Sequence, residues 1–310
     1  MTPNRLPVPE TTRQVEASGP SVVDAHTHIF SPDVISGLDV YSRREPWFRQ
    51  LYHDPRARLA DAEDLLMSMS AAGIERSVIC GFPWRDLGIC REHNDYLAAA
   101  AERSGGHLAW LAIVPPHGGR EAAIEARRAL ECGACGLGEL NADAQGFDLR
   151  DAESLSPVVD VCRELDRPIM LHASEPVGHA YPGKGSATPE KLISFVTAFR
   201  DVDVVLAHWG GGLPFYELML EVATALRRVV YDCAASTYLY RFDVFRTVLD
   251  LVGPNRVLFG SDYPVLGQRR FLARTLGSGI RPGELPAVLG ENARRVYRLP
   301  PIGDGERTRP

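Results

Sequence analysis

Short apolar runs rich in β-branched residues alternate along the chain with longer segments of helical period. The runs are Val22–His26, Ser77–Gly81, Leu108–Val114, Gly136–Leu140, Pro168–His172, Val202–Ala207, Val229–Asp232 and Arg256–Phe259. Between them Leu59–Ala72, Glu92–Arg103, Arg120–Cys132, Pro189–Phe199, Leu213–Arg227 and Arg241–Leu251 read as amphipathic helices. Asp61, Glu63 and Asp64 sit where a helix dipole favours negative charge, and Thr188 precedes Pro189 as an N-cap precedes a first helical proline. From Leu111 onward, the ends of successive runs (Glu139, His172, His208, Asp232, Asp262) stand 24 to 36 residues apart. Each interval holds one strand, one helix and two loops. Eight such units predict an α/β fold, a (β/α)8 TIM barrel in a single domain over residues 21–299.

One interval is too long. His26 and Ile79 are 53 residues apart, which makes residues 30–58 an insertion after the first strand. It carries Trp47, Phe48, Tyr52 and His53 and would overhang the C-terminal mouth as a lid or an oligomer contact. Residues 1–20 read as a disordered or extended arm and residues 300–310 as a flexible tail.

Composition narrows the class. The chain has 310 residues, 45% hydrophobic and 24% charged, which excludes global disorder. Its net charge of −6 leaves no basic stripe for a phosphate backbone, so nucleic acid is disfavoured as a partner. No apolar run reaches the roughly 18 residues of a membrane helix, and the N-terminal stretch lacks the apolar core of a signal peptide. A cytoplasmic protein acting on a small molecule is expected. The six cysteines, including the pair Cys132 and Cys135, are expected to be reduced packing residues.

The candidate chemistry lies at the strand ends. Val22-Val-Asp-Ala-His26-Thr-His28 closes an apolar run with His-x-His, and side chains two apart on a strand share a face. His26 and His28 can therefore chelate one cation, with Asp24 on the same face one step deeper. His172, His208 and Asp262 end three further runs in the same way. Polar groups at such positions are costly unless they share partners or a cation, so a metal site is expected.

These residues resemble the amidohydrolase superfamily, and within it the amidohydrolase-related group of hydrolases and carboxy-lyases. The matching stretches are Asp24-Ala-His-Thr-His28, Leu171-His172, Ala207-His208, Gly260-Ser-Asp-Tyr-Pro264 and Gly290-Glu-Asn-Ala-Arg-Arg295. The resemblance implies a barrel with metal held by His26, His28, His172, His208 and Asp262, and a homodimer at the level of the family. Many binuclear members carry a carboxylated lysine on strand four. Here the only lysines, Lys184 and Lys191, fall on no predicted strand end. Glu139 takes that place, as in the similar TatD-type nucleases, and can bridge two cations, orient a substrate amine or partner a histidine.

One or two divalent ions are expected, zinc first, with manganese, iron or cobalt fitting the same donors. Asp262 is the expected general base and His208 the stabiliser of developing oxyanion charge. Trp84 and Arg85 after strand two, Glu175, His179 and Lys184 after strand five, and Tyr263 beside Asp262 are the expected substrate contacts. Arg85 and Lys184 would favour an anionic substrate. Asp232 is expected to orient other polar groups, and His53, His93, His107 and His117 to be surface or capping residues. The first functional expectation is hydrolysis of a C–N or C–O bond, of amide or lactone type. A zinc-dependent carboxy-lyase is the alternative and a TatD-like nuclease the third reading.

Overall fold

The computed structural model describes residues 20–302. Apart from Pro20 and residues 300–302, the expected arm and tail lie outside the described residues. All eight apolar runs form strands: β1 (Val23–His28), β2 (Arg76–Cys80), β3 (Leu108–Ala112), β4 (Gly136–Leu140), β5 (Ile169–Leu171), β6 (Val204–Leu206), β7 (Val229–Asp232) and β8 (Val257–Leu258). They pair in parallel in sequence order. The ends of the sheet meet where Ala25 N–H donates to Phe259 O (2.8 Å) and Asp262 N–H to His26 O (2.9 Å). The chain is a (β/α)8 TIM barrel.

Strand alternation sorts the side chains into two layers. Val23, Ala25, Val78, Cys80, Leu111, Met170, Val205, Val230 and Leu258 pack with Tyr297 inside the barrel. Ile79, Leu137, Ile169, Leu171, Val204, Leu206 and Val257 face the surrounding helices. The β1–β2 register slips between Asp24 and Thr27. This bulge corrects the expectation that Asp24 shares a face with His26. Asp24 instead points outward and accepts hydrogen bonds from Ser261 N–H (2.9 Å) and Gln268 Nε2 (2.8 Å).

The insertion folds into three short helices, α1 (Pro32–Ser36), α2 (Leu38–Arg44) and α3 (Pro46–Tyr52), ahead of α4 (Ala62–Ala72) and α5 (Leu87–Arg103). Ser31 caps α1 through Val34 N–H, and Asp61 and Asp64 form a capping box on α4. The insertion has its own aromatic core, in which Phe30, Phe48, Phe82 and Trp84 pack together. The helix expected over 213–227 is interrupted. A 3-10 stretch, His208–Leu218, precedes a short helix at Leu220–Ala225, because Gly210–Gly212 and Pro214 break the α-helical path. Helices at Ala152–Glu164 and Gln268–Leu276 are additional to the six segments read from the sequence. The first contains Pro157, and the second is dominated by polar residues. Five of the six cysteines are buried; Cys132 is exposed, contrary to expectation. Among the described residues no helix is long and apolar enough to cross a membrane.

Candidate metal centre and active site

Barrel closure brings the strand ends together. His26 and His28 (β1), Glu139 (β4), His172 (after β5), His208 (after β6) and Asp262 (after β8) form two adjoining triads. His26, His28 and Asp262 make one, and Glu139, His172 and His208 the other, with the donor atoms of each within 4.8 Å of one another. Glu139 links them. Its Oε2 lies 3.8 Å from His26 Nε2 and 3.7 Å from His28 Nε2, while its Oε1 lies 2.9 Å from His172 Nδ1 and 3.3 Å from His208 Nε2. Asp262 Oδ1 is 3.8 Å from His26 Nε2 and 3.5 Å from His28 Nε2.

The hydrogen bonds behind these groups decide which nitrogens are bare. His26 Nδ1 donates to Asp232 Oδ2 (2.8 Å) and His28 Nδ1 to Gly81 O (3.1 Å). Both oxygens can only accept, so the protons sit on Nδ1. Each ring then turns Nε2, the nitrogen left to take up a proton or a cation, toward the other, at 3.0 Å. His208 repeats the pattern, its Nδ1 on Ala234 O (3.3 Å) and its Nε2 facing Glu139. Lone pairs and carboxylate oxygens so buried repel one another unless positive charge lies among them. The protonation preferences say the same. His26 is held up to about 10, because Asp232 and Glu139 outweigh the opposing burial. His208 is held up to about 9, burial again being outweighed by Glu139. His28 is pushed down by burial and by its neighbour His26. Glu139 stays well below the usual carboxylate range: burial would raise it, and the His172 and His26 charges prevail. The mixed nitrogen and oxygen donors fit a divalent cation. Asp232 orients rather than ligates, as expected: besides His26 it accepts from His208 N–H (2.9 Å) and Ala234 N–H (3.0 Å).

Above the centre opens a cavity of about 490 Å³. Its lining includes His28, Glu139, His172, His208 and Asp262 at the polar end, and Trp47, Leu51, Tyr52, Phe82 and Leu239 on the walls. Arg56, Arg58, Asn141, Tyr181 and Tyr238 also face it. Of the expected substrate contacts only His179 lines this space. Trp84 is fully buried in the aromatic core. Arg85 is exposed against Gly146, and Glu175 accepts from Tyr181 O–H (2.8 Å). Lys184 donates to the carbonyls of Val177 and His179, closing its own loop. Tyr263 is buried outside the lining. The cations that do reach the cavity, Arg56 and Arg58, belong to the insertion, and nothing in their sequence spacing marks them. His93 is also misplaced by the sequence reading: it is buried, not at the surface.

A TIM barrel with imidazoles and carboxylates converging at the C-terminal ends of its strands defines a metal-dependent barrel enzyme. The amidohydrolase family model matches residues 23–299, and the chain belongs to that family. No curated protein sequence matches it significantly. Among solved structures it is similar to 5-carboxyvanillate decarboxylase from Sphingomonas paucimobilis (17% identity, 90% of this chain and 99% of that one, TM-score 0.75). The manganese-bound 5-carboxyvanillate decarboxylase from Novosphingobium aromaticivorans is comparable (18%, 91% and 98%, TM-score 0.74). So is 2,6-dihydroxybenzoate decarboxylase from Rhizobium (20%, 90% and 99%, TM-score 0.70). At such identities the likeness is one of fold. The first functional expectation, C–N or C–O hydrolysis, is corrected by these decarboxylase neighbours. It leaned on Glu139 as a second carboxylate ligand suited to a water-activating pair of metals.

Proposed function

We propose that the protein is a divalent-metal-dependent carboxy-lyase acting on a small aromatic or similarly conjugated carboxylic acid. The observation that carries this reading is the two-ended cavity, with aromatic and aliphatic walls over a floor of imidazoles and carboxylates. A flat apolar body with one anionic end matches such a space. The decarboxylases of like fold, whose names specify substituted benzoates, support it. Arg58 lines the rim and makes no ion pair among the described residues; it draws in the acid.

His26, His28, Glu139 and Asp262 would hold the cation, with His172 and His208 on the far side of Glu139. When bound, the cation offsets the negative charge of the substrate oxygens. The chain's own residues do the rest. Asp262 lines the cavity with its side chain 13% exposed, and in its protonated form it delivers a proton to the ring carbon that bears the carboxylate. A π pair of the ring forms the new C–H bond; the C–C bond then breaks, its electron pair restores the π system, and CO2 leaves. Asp262 regains a proton from solvent, so the sum is R–COO⁻ + H⁺ → R–H + CO2. His208 adds positive charge beside the reacting oxygens, and the apolar walls exclude water.

The test is turnover of a panel of hydroxybenzoates and carboxylated phenols with Mn²⁺ or Zn²⁺ in D2O. Release of CO2 together with one deuterium at the vacated carbon is expected. No CO2 from any member, or a product carrying oxygen from labelled water, overturns the reading.

A further inference from the structure

We infer that Trp84 and His93, neither of which lines the cavity, form a brace that sets the position of His28 and thereby the affinity of the metal centre. The inference rests on metal binding at this centre but not on the reaction carried out there. Trp84 Nε1 donates to His93 Nδ1 at 2.7 Å. An indole N–H can only donate, so His93 Nδ1 accepts and its proton sits on Nε2. That Nε2–H donates to Ile29 O at 2.9 Å, fixing the backbone immediately after His28. The face of the same ring lies against Gly81: a Cβ built there would stand 3.1 Å from His93 Nδ1 and 3.2 Å from its Cγ. Gly81 O is the acceptor that holds His28 Nδ1. His93 therefore touches both supports of His28, the residue that follows it and the carbonyl that orients its ring.

The brace is rigid for physical reasons. His93 and Trp84 are buried, at 3% and 0% exposure. Phe30, Trp84 and Tyr96 surround the imidazole with ring centroids 5.9–6.1 Å away. The brace spans β1, the β2 loop and α5. The partner of a ligating histidine commonly sets both its tautomer and its ring direction. Here the partner is a backbone carbonyl, so its placement falls to whatever packs on Gly81, and that is His93. Trp84 and His93 are positioning residues.

The test is Mn²⁺ titration of the chelator-stripped protein, with free ion read by electron paramagnetic resonance and no substrate present. His93→Leu and Trp84→Phe are expected to weaken binding roughly 10–100-fold, the usual effect of removing an outer-shell partner. His93→Gln, whose amide can accept from Trp84 and donate to Ile29, is expected to stay within about threefold of wild type. Circular dichroism of each metal-free variant reports whether it folds. Wild-type affinity in folded His93→Leu or in Trp84→Phe overturns the inference, and so does a loss in His93→Gln equal to that in His93→Leu. If His93→Leu does not fold, Trp84→Phe decides alone, since it keeps an aromatic ring in the same core. Because no turnover is read, failure here leaves the carboxy-lyase reading standing, and failure of that reading leaves this result intact.

Discussion

Two residues at the centre of the proposed chemistry have backbones that most side chains avoid. His208 and Asp262 have φ of 56° and 65°, in the left-handed region where only glycine, asparagine and aspartate sit easily. Such conformations persist where the surroundings over-determine them. Asp232 fixes the first by accepting from His208 N–H, and Asp262 N–H is tied to His26 O. Asp262→Asn tolerates the same φ and keeps the volume, so it should fold normally while lowering kcat by about 10²–10⁴-fold. A kcat within a few-fold of wild type removes Asp262 from its role. His93 gives a pH signature. Burial pushes it down to about 4 from 6.5, with the Ile29 carbonyl partly opposing. The unfolded chain therefore takes up this proton first as pH falls. The stability due to neutral His93 is intact above pH 6.5 and lost on the way down to about 4. A shift of this size corresponds to about 3 kcal/mol. Urea unfolding should show His93→Gln losing less stability than wild type across that window, and parallel curves would contradict it. The convergence of the six residues was legible because each lies at or just beyond the end of an apolar strand. The rim residues were not: Arg56 and Arg58 line the cavity, and the expected Trp84 and Arg85 do not, because the loop after β2 turns one into the aromatic core and the other to the surface.

At the scale of elements, two devices aim the site. After β6 the backbone makes a left-handed turn, with Trp209 at φ 57° and ψ 30°, Gly210 at 56° and 30°, and Gly211 at 61° and 23°. Gly211 also packs so closely on Ser174 that a Cβ would overlap its carbonyl group. Gly211→Ala should cost at least about 1–2 kcal/mol from the left-handed conformation alone, read as a lower Tm, and should reduce turnover because the same turn carries His208. An unchanged Tm would contradict this. The second device is the insertion, whose α3 and following loop bring Trp47, Leu51, Tyr52, Arg56 and Arg58 to the cavity. Whether lid or oligomer contact, the two roles the sequence allows it, this segment forms one wall of the cavity. Arg58→Gln is expected to raise KM for an anionic substrate about tenfold with kcat little changed, as for a residue that binds substrate and transition state alike. An unchanged KM would move the anionic contact elsewhere.

At the scale of the whole molecule, the centre joins strands from opposite sides of the barrel, because its candidate ligands come from β1, β4, β5, β6 and β8. A cation bound there favours the closed fold over the unfolded chain by mass action, about 4 kcal/mol at a thousandfold excess over Kd. Chelation should lower Tm and Mn²⁺ should restore it; a Tm indifferent to both would argue against a resident ion. The amino-acid sequence by itself determined the number of strands, their order and the six residues that meet at one end. Period-two alternation and strand termini are local properties, and barrel closure brings strand ends together whatever the loops do. It could not place the bulge that turns Asp24 outward, the arginines of the cavity rim or the support behind His28. Those depend on which side chains from distant elements fill the space beside each loop, and that packing exists only in the folded molecule.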